Sequence, residues 1–241
     1  MPLSFTAFGG KIQAARNAGG RRLSHCVTIR SKLLRRASRL SVLFAQPLYR
    51  LLCMMHVKLK LKSSGDIHKS LIDYRRLVAR VDRMVHRIRR KYRVHIACHK
   101  GCACGCRNLS ILPIEALSLS GALQDLPRLA IAAIRKRAAA VCIWECPLLS
   151  NGACSLYAFR PLICRTHGYP LLTHYQGRAS IGYCRHNFKK MPSIPPDAVI
   201  DLEKINGRLR AINASVLREP ERLLPIADRL SISEAMMLEL E

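Results

Sequence analysis

The most regular pattern of apolar positions lies between Ile67 and Tyr92, where apolar residues recur at alternating steps of four and three. The members of this pattern are Ile67, Leu71, Tyr74, Val78, Val81, Val85, Ile88 and Tyr92. Because an α-helix completes a turn in about 3.6 residues, this spacing places all of them on one face. The sequence therefore predicts a long amphipathic helix whose apolar face packs against a core or a partner helix.

Two shorter helices are predicted after the first cysteine cluster. Pro113 suits a first helical turn and the acidic Glu115 follows it, so a helix is expected through Leu123. The alanine-rich segment 129–141 favours a second helix, which Asp125 is placed to cap. These two helices would separate the first cysteine cluster from the later cysteines.

The last third of the chain carries signals for a hairpin and for two more helices. Leu171 to Tyr175 and Ser180 to Tyr183 flank a Gln-Gly turn and predict a short β-hairpin. Asp197 is a candidate cap for a helix with apolar positions up to Val216, and a final helix is expected from about Ser231.

The segment 146–170 is interrupted by proline and glycine too often for long regular elements, and it predicts loops. Taken together, the elements predict a mainly α fold. We expect a small helical domain, residues 61–241, around irregular cysteine-rich loops that bind metal, with one short β-hairpin.

Residues 1–60 differ from the rest in composition. They are rich in arginine, and the first acidic residue of the chain is Asp66. Three hypotheses fit this: a disordered basic arm, a transit peptide, or upstream DNA translated by mistake, with Met54 or Met55 as the true start. The third is favoured, because nothing in this stretch agrees with the orderly pattern that follows.

The charge of the chain is strongly positive, with 41 Lys and Arg against 15 Asp and Glu and a net charge of +26. Such a balance attracts nucleic acid, anionic membranes or acidic proteins. Basic residues also cover the second face of the helix predicted from Ile67, where a solvated charged face is the simpler interpretation than phosphate binding. No apolar run is long enough to span a bilayer, so we expect no transmembrane segment. The odd number of cysteines, with no convincing secretory signal before them, favours the reducing cytoplasm.

The cysteines carry the strongest signal for function. The chain has 11, an odd number, and Cys98, Cys102, Cys104 and Cys106 put four thiols into nine residues. Gly101 and Gly105 free the backbone between them, so several sulfurs can converge on one point. A disulfide framework would instead need several partners around one short loop. Dense thiolates favour zinc, copper(I) or iron-sulfur clusters over calcium and magnesium.

Four later cysteines complete the candidate ligand set. Cys146, Cys154, Cys164 and Cys184 bring the thiols to eight, enough for one four-sulfur site with spares or for two such sites. The spacing leaves the choice between zinc and an iron-sulfur cluster open. Nearby arginines are expected to lower the pKa of the thiols: Arg107, Arg160, Arg165 and Arg185.

Other side chains near the cysteines are weaker candidates. His167, His99 and His186 each lie close to a cysteine in sequence, and His167 is the best placed to act as a ligand or to support one. Trp144 is expected to pack over the site and shield it from water.

Several segments together resemble a known family. They are Cys98 to Cys106; Pro113 to Leu119; Cys146-Pro147-Leu148 through Cys154-Ser155-Leu156-Tyr157; Arg160-Pro161 through Cys164-Arg165-Thr166-His167-Gly168; and Tyr183-Cys184 with Asn187-Phe188. From about residue 96 to 215 the chain is similar to the cysteine-cluster proteins described as zinc- or iron-chelating domains, the YkgJ-like family. That family's first cluster ends in two adjacent cysteines, whereas Gly105 stands at the first of those positions here. The resemblance implies a metal or iron-sulfur site with all eight cysteines as ligands, Cys104 by displacement.

Three functions follow as hypotheses. The first is a metal or iron-sulfur binding protein that serves redox chemistry, metal handling or the maturation of a protein partner. The second is a nucleic-acid-binding module with structural zinc, and the third is an iron-sulfur enzyme. Catalysis has no support from nucleotide-binding, nucleophile-elbow or zinc-protease motifs. If the metal is structural, its removal should loosen the region from Cys98 to Cys184.

Overall fold

The computed structural model describes residues 65–99, 101–140, 144–217 and 228–238. Within these ranges the helices are α1 (Gly65–Lys91), α2 (Pro113–Gln124), α3 (Arg128–Ala139), α4 (Leu162–Thr166), α5 (Leu202–Leu217) and α6 (Ile232–Met237). The strands are β1 (Ser110–Ile111), β2 (Leu149–Ser150), β3 (Ala153–Cys154), β4 (Leu171–Tyr175), β5 (Arg178–Gly182), β6 (Ile200–Asp201) and β7 (Leu230–Ser231). The prediction of a mainly helical fold with short strands is confirmed. The hypotheses on residues 1–60 lie outside the described residues.

Helix α1 is the long amphipathic helix that the apolar spacing predicts. Asp66 lies in its first turn and basic residues fill its last turn, which complements the helix dipole at both ends. Its buried face, including Tyr74, Val81 and Ile88, packs against α5 and α4 in the first of two apolar clusters. No helix in the described part of the chain is both long enough and apolar enough to cross a membrane.

Helix α2 lies between the two apolar clusters. Ile114 and Leu117 belong to the cluster around α1, whereas Leu119 and Leu123 belong to a second cluster formed with α3 and α6. Ser120 of this helix is also buried, and its hydroxyl donates to the carbonyl of Leu238 at 3.1 Å. A helix that is apolar on all sides is suited to such a central position.

Short strands connect distant parts of the chain. The predicted hairpin is confirmed: β4 pairs antiparallel with β5 around Gln176 and Gly177, both at positive φ, as in a tight two-residue turn. Strand β6 adds to β4 in parallel, and β1 pairs with β7 just before α6. Ser231 caps α6 and exchanges hydrogen bonds with Glu234, so the last predicted helix is also confirmed.

Two predicted helix caps are wrong. Asp197 lies in a 3₁₀ turn and accepts hydrogen bonds from Lys91 and Tyr92 instead of capping a helix. Because β6 intervenes, α5 begins only at Leu202, and Asp201 accepts from the backbone N–H of Lys204. Asp125 follows the end of α2, and no side chain caps α3.

Candidate metal centre

The eight candidate cysteines come from four separate parts of the fold. Cys98, Cys102, Cys104 and Cys106 lie in the loop before β1, Cys146 and Cys154 flank the turn from β2 to β3, Cys164 is in α4, and Cys184 follows β5. All eight carry free thiols. As predicted, the segment 146–170 has no long regular element, but it contains the short β2–β3 hairpin and α4, which were not predicted.

Four of these thiols, here called the outer group, are Cys98, Cys102, Cys104 and Cys184. The sulfurs of Cys102 and Cys104 are 3.4 Å apart. The Sγ of Cys98 and the Cβ of Cys184 both lie beside Gly168, at 3.0 and 3.5 Å from the point where a Cβ on that glycine would sit. Cys102 and Cys104 are exposed, so this group opens to solvent.

A buried asparagine holds the outer group together. Asn187 is only 1% exposed. Its side-chain oxygen accepts from the N–H groups of Ala97 and Cys98 at 2.9 and 3.2 Å, and its amide nitrogen donates to Gly168 at 2.7 Å. Its own N–H donates to the carbonyl of Cys184 at 2.9 Å. One residue therefore joins the segments that carry two of the thiols, a role that the sequence pattern alone did not assign to it.

The other four thiols, the inner group, are Cys106, Cys146, Cys154 and Cys164. In the β2–β3 hairpin, Leu149 is the register partner of Cys154 and its N–H donates to the carbonyl of Cys146 at 3.0 Å. The side chains of Cys146 and Cys154 pack against the second apolar cluster. All four thiols are half-buried, so this group is more enclosed than the outer one.

Two charged side chains fix the short helix that carries Cys164. Glu115 is buried, and its carboxylate oxygens accept from the N–H of Leu162 at 3.0 Å and of Leu112 at 3.1 Å. Burial raises the pKa of Glu115, and these two N–H groups oppose that shift. Glu115, which is favourable in the first turn of α2, therefore also supports α4.

Arg165 holds α4 from its other side. It was predicted to lower the pKa of nearby thiols, and its guanidinium pairs with both oxygens of Asp82 on α1, at 2.9 and 2.6 Å. It also donates to the carbonyls of Ala158 and Arg160. The ion pair therefore ties the Cys164 helix to the longest helix of the fold.

The pKa values of all four inner thiols are raised above the ordinary value of a cysteine. Burial is the largest cause, and it raises the pKa of Cys164 to about 12 and that of Cys146 to about 11. Arg160 lowers the pKa values of Cys106, Cys154 and Cys164, yet burial outweighs it and each pKa is raised. Arg160, and Arg107 at Cys106, therefore act in the direction predicted for nearby arginines, but their effect is smaller than that of burial.

The outer thiols also influence one another. Burial, followed by the neighbouring Cys184, raises the pKa of Cys98 to about 11. The hydrogen bond with Cys102 is the largest cause of the raised pKa of Cys104. Metal binding at either group would therefore release protons, because thiolates and not thiols are the ligands.

His167 lies directly against the first cysteine cluster. A Cβ placed on Gly105 would be 2.1 Å from Nε2 and 2.4 Å from Cε1 of this ring, so the imidazole occupies the space that a side chain at 105 would need. Burial of the ring lowers the pKa of His167, which favours neutral imidazole. The other two histidines contact their own loops: His99 contacts the carbonyl of Ala97, and His186 contacts Arg185.

The candidate ligands lie near one another, but their side chains do not form a complete metal site. Among the described residues, no three His, Cys, Asp or Glu side chains lie together in an arrangement that could hold a metal ion. Trp144 does not shield the thiols as predicted, since it is 70% exposed.

Comparisons of this chain with protein-family models, with curated proteins and with solved structures give no match. The resemblance to the YkgJ-like cysteine-cluster proteins stays a prediction. Support for a function therefore comes from the geometry of the thiols and of the residues that hold them.

Proposed function

We propose that this chain is a metal-binding protein whose eight cysteines take up thiophilic ions. The observation that carries the proposal is the gathering of eight free thiols from four parts of the fold onto two supported groups. Buried polar residues such as Asn187 and Glu115 hold the cysteine-bearing segments in place. Thiolates gathered in this way are suited to zinc, copper(I) or iron and poorly suited to calcium or magnesium.

The distance between one pair of outer sulfurs is compatible with both thiolates binding a single ion. The Sγ atoms of Cys102 and Cys104 are 3.4 Å apart. Two thiolates on one tetrahedral zinc, with Zn–S bonds near 2.3 Å, are about 3.8 Å apart. A cubane cluster binds its four cysteines through four different irons, which keeps their sulfurs farther apart. Zinc is the ion that we propose, with singly bound iron next.

The first experiment measures the metal. The full chain is purified without oxygen, and zinc, iron and sulfide per chain are quantified alongside the visible spectrum. Stoichiometric zinc in a colourless protein is the expected result. A brown protein with matched iron and sulfide would replace zinc by an iron-sulfur cluster and renew the enzyme hypothesis. Absence of any metal would contradict the proposal. The variant Cys142→Ser, which changes a cysteine outside the set of eight, should keep the metal content of the unmodified chain.

A second candidate function is nucleic-acid binding, supported by a row of exposed arginines on α1. Arg80, Arg83, Arg87 and Arg90 are spaced by three or four residues, so they lie on one face. None of the four has an ion pair with another described residue. Such a row can follow a phosphate backbone, and its affinity would fall steeply with salt.

Charge neutralisation tests this second function. Arg80, Arg83 and Arg87 are changed to glutamine together, and binding of duplex and single-stranded RNA is measured between low and physiological salt. A matched variant neutralises the exposed basic residues Arg128 and Lys136 on α3. Loss of affinity and of salt dependence only in the α1 variant would support the function, whereas equal effects of both variants would leave only non-specific attraction.

A further inference from the structure

The eight thiols divide into two groups of four at Gly105. In the outer group the sulfurs of Cys102 and Cys104 are 3.4 Å apart, and the thiol of Cys98 shares a hydrogen bond with Cys184. In the inner group Cys146 and Cys154 pack against the same apolar cluster, and both raise the pKa of Cys164. Cys106 raises the pKa of Cys146 and of Cys154, and Cys104 raises that of Cys106 across Gly105.

The ring of His167 fills the space at this boundary. It lies so close to Gly105 that any Cβ there would overlap its Nε2. The next residue, Gly168, has the outer sulfur of Cys98 beside it, and Cys164 of the inner group lies four residues earlier in the chain, on α4. The imidazole therefore lies against Gly105, the residue between Cys104 of the outer group and Cys106 of the inner group.

The two groups also rest on different supports. Of the inner cysteines, Cys146 and Cys154 lie at the β2–β3 hairpin and pack against the second apolar cluster, and Cys164 lies on α4, which Glu115 and Arg165 hold. Cys106 lies in the loop before β1 and is half-buried. The outer cysteines lie in loops, where Asn187 joins the segments of Cys98 and Cys184, and Cys102 and Cys104 are exposed. A ligand on a rigid buried element releases its ion slowly, whereas a ligand on an exposed loop can be displaced by an incoming thiol.

We propose that the cysteines form two separate metal centres, an inner one that stabilises the fold and an outer one that exchanges its ion with other thiol-bearing molecules. This inference rests on the proposed metal-binding function. Each centre binds one divalent ion through four metal–sulfur bonds, and the four thiols lose their protons to solvent as these bonds form. No electron is transferred, so the outer centre acts by ligand exchange alone.

Zinc titration of the metal-free full chain, with a chromophoric chelator as competitor and without oxygen, tests the division. The wild type should bind two ions per chain, one tightly and one more weakly. Cys102→Ser with Cys104→Ser should leave only the tight ion, and Cys146→Ser with Cys154→Ser should abolish tight binding. Cys142→Ser should keep both ions.

Other stoichiometries overturn the inference. One ion per chain that both double variants lose would show a single centre, and one ion lost by only one of them would show one site with spare thiols. Both outcomes would keep the metal-binding function, whereas no bound zinc in the wild type would remove both proposals.

If a double variant fails to fold, the number of metal centres can still be measured on the unmodified chain. With cadmium-113 in place of zinc, the wild type should give two NMR resonances, each in the range of a metal bound by four thiolates. A single resonance, or coupling between cadmium ions through a shared sulfur, would overturn the two separate centres.

Discussion

Three inner cysteines, Cys146, Cys154 and Cys164, lie at a hairpin and on a helix, whereas the outer cysteines lie in loops, two of which a buried asparagine joins. The β2–β3 hairpin and α4 have their own backbone hydrogen bonds and the support of Glu115. The outer loops meet at Asn187 and expose two of their four thiols. The contrast shows how one domain can hold a permanent ion and an exchangeable ion side by side.

The largest expected effect comes from removing the support of the inner group. Glu115→Ala leaves the buried N–H groups of Leu112 and Leu162 without an acceptor, so the free energy of unfolding should fall by about 3 kcal/mol. Chemical denaturation measures this loss. Glu115→Gln keeps one acceptor oxygen and should recover part of the stability.

Glu203 is a matched control for this change, because it also lies in the first turn of a helix but is exposed. Glu203→Ala should change the free energy of unfolding by less than about 0.5 kcal/mol. Equal losses in the two alanine variants would contradict the role given to Glu115.

The outer group should respond to Asn187→Ala. This change removes the acceptor for Ala97 and Cys98 and the donor to Gly168, so we expect a stability loss of about 2 kcal/mol. Alkylation of Cys98 and Cys184 in the metal-free chain, followed by mass spectrometry, should become faster, while the inner thiols keep their rates. Asn206→Ala, on the half-buried side of α5, is the control, and faster alkylation of the inner thiols would contradict the separation.

The boundary between the groups is tested by Gly105→Ala. The added methyl group would sit 2.1 Å from His167, so the ring must move, with a cost of about 1–3 kcal/mol in unfolding free energy. His167→Ala in the same chain should remove the conflict, giving a non-additive double-mutant cycle. Gly207→Ala has open space in α5 and should instead stabilise by about 0.5–1 kcal/mol. If the stability losses of Gly105→Ala and His167→Ala were additive, the His167 ring would not lie against Gly105.

The smallest effect is expected far from the thiols, at Asp197. Lys91 and Tyr92 donate to this carboxylate and lower its pKa. A lowered folded-state pKa contributes stability above the unfolded value and loses it as pH falls, so Asp197→Asn should flatten the acid limb of stability below about pH 4. Thermal unfolding across pH measures the change. Metal stoichiometry should stay unchanged, and a loss of metal would contradict the independence of this contact from both groups.

The fold could be predicted from the sequence where the pattern is local. The stripe on α1 and the Gln-Gly turn of the β4–β5 hairpin depend on spacing alone, and both are confirmed. Helix α4 was missed because five residues between Pro161 and His167 carry no periodic signal. Its stability comes from Glu115 and Arg165, which are distant in sequence from their partners.

The candidate site was also predictable only in part. The eight cysteines stand out by their density, but the contact of His167 with Gly105 joins residues 62 positions apart, and no local pattern predicts it. The pKa values of the thiols depend on packing in a similar way. Arginines were expected to lower them, and Arg160 does so, but burial of the thiols, which only the packed structure shows, has the larger effect.

Stepwise removal of metal from the full chain, followed by native mass spectrometry and circular dichroism, tests the central claim most directly. We expect a chain loaded with two ions, which loses the first ion without loss of the helical circular dichroism signal. It then loses the second together with structure around Cys106, Cys146, Cys154 and Cys164. A chain that never carries metal, or one whose fold is unchanged after both ions are gone, would contradict it.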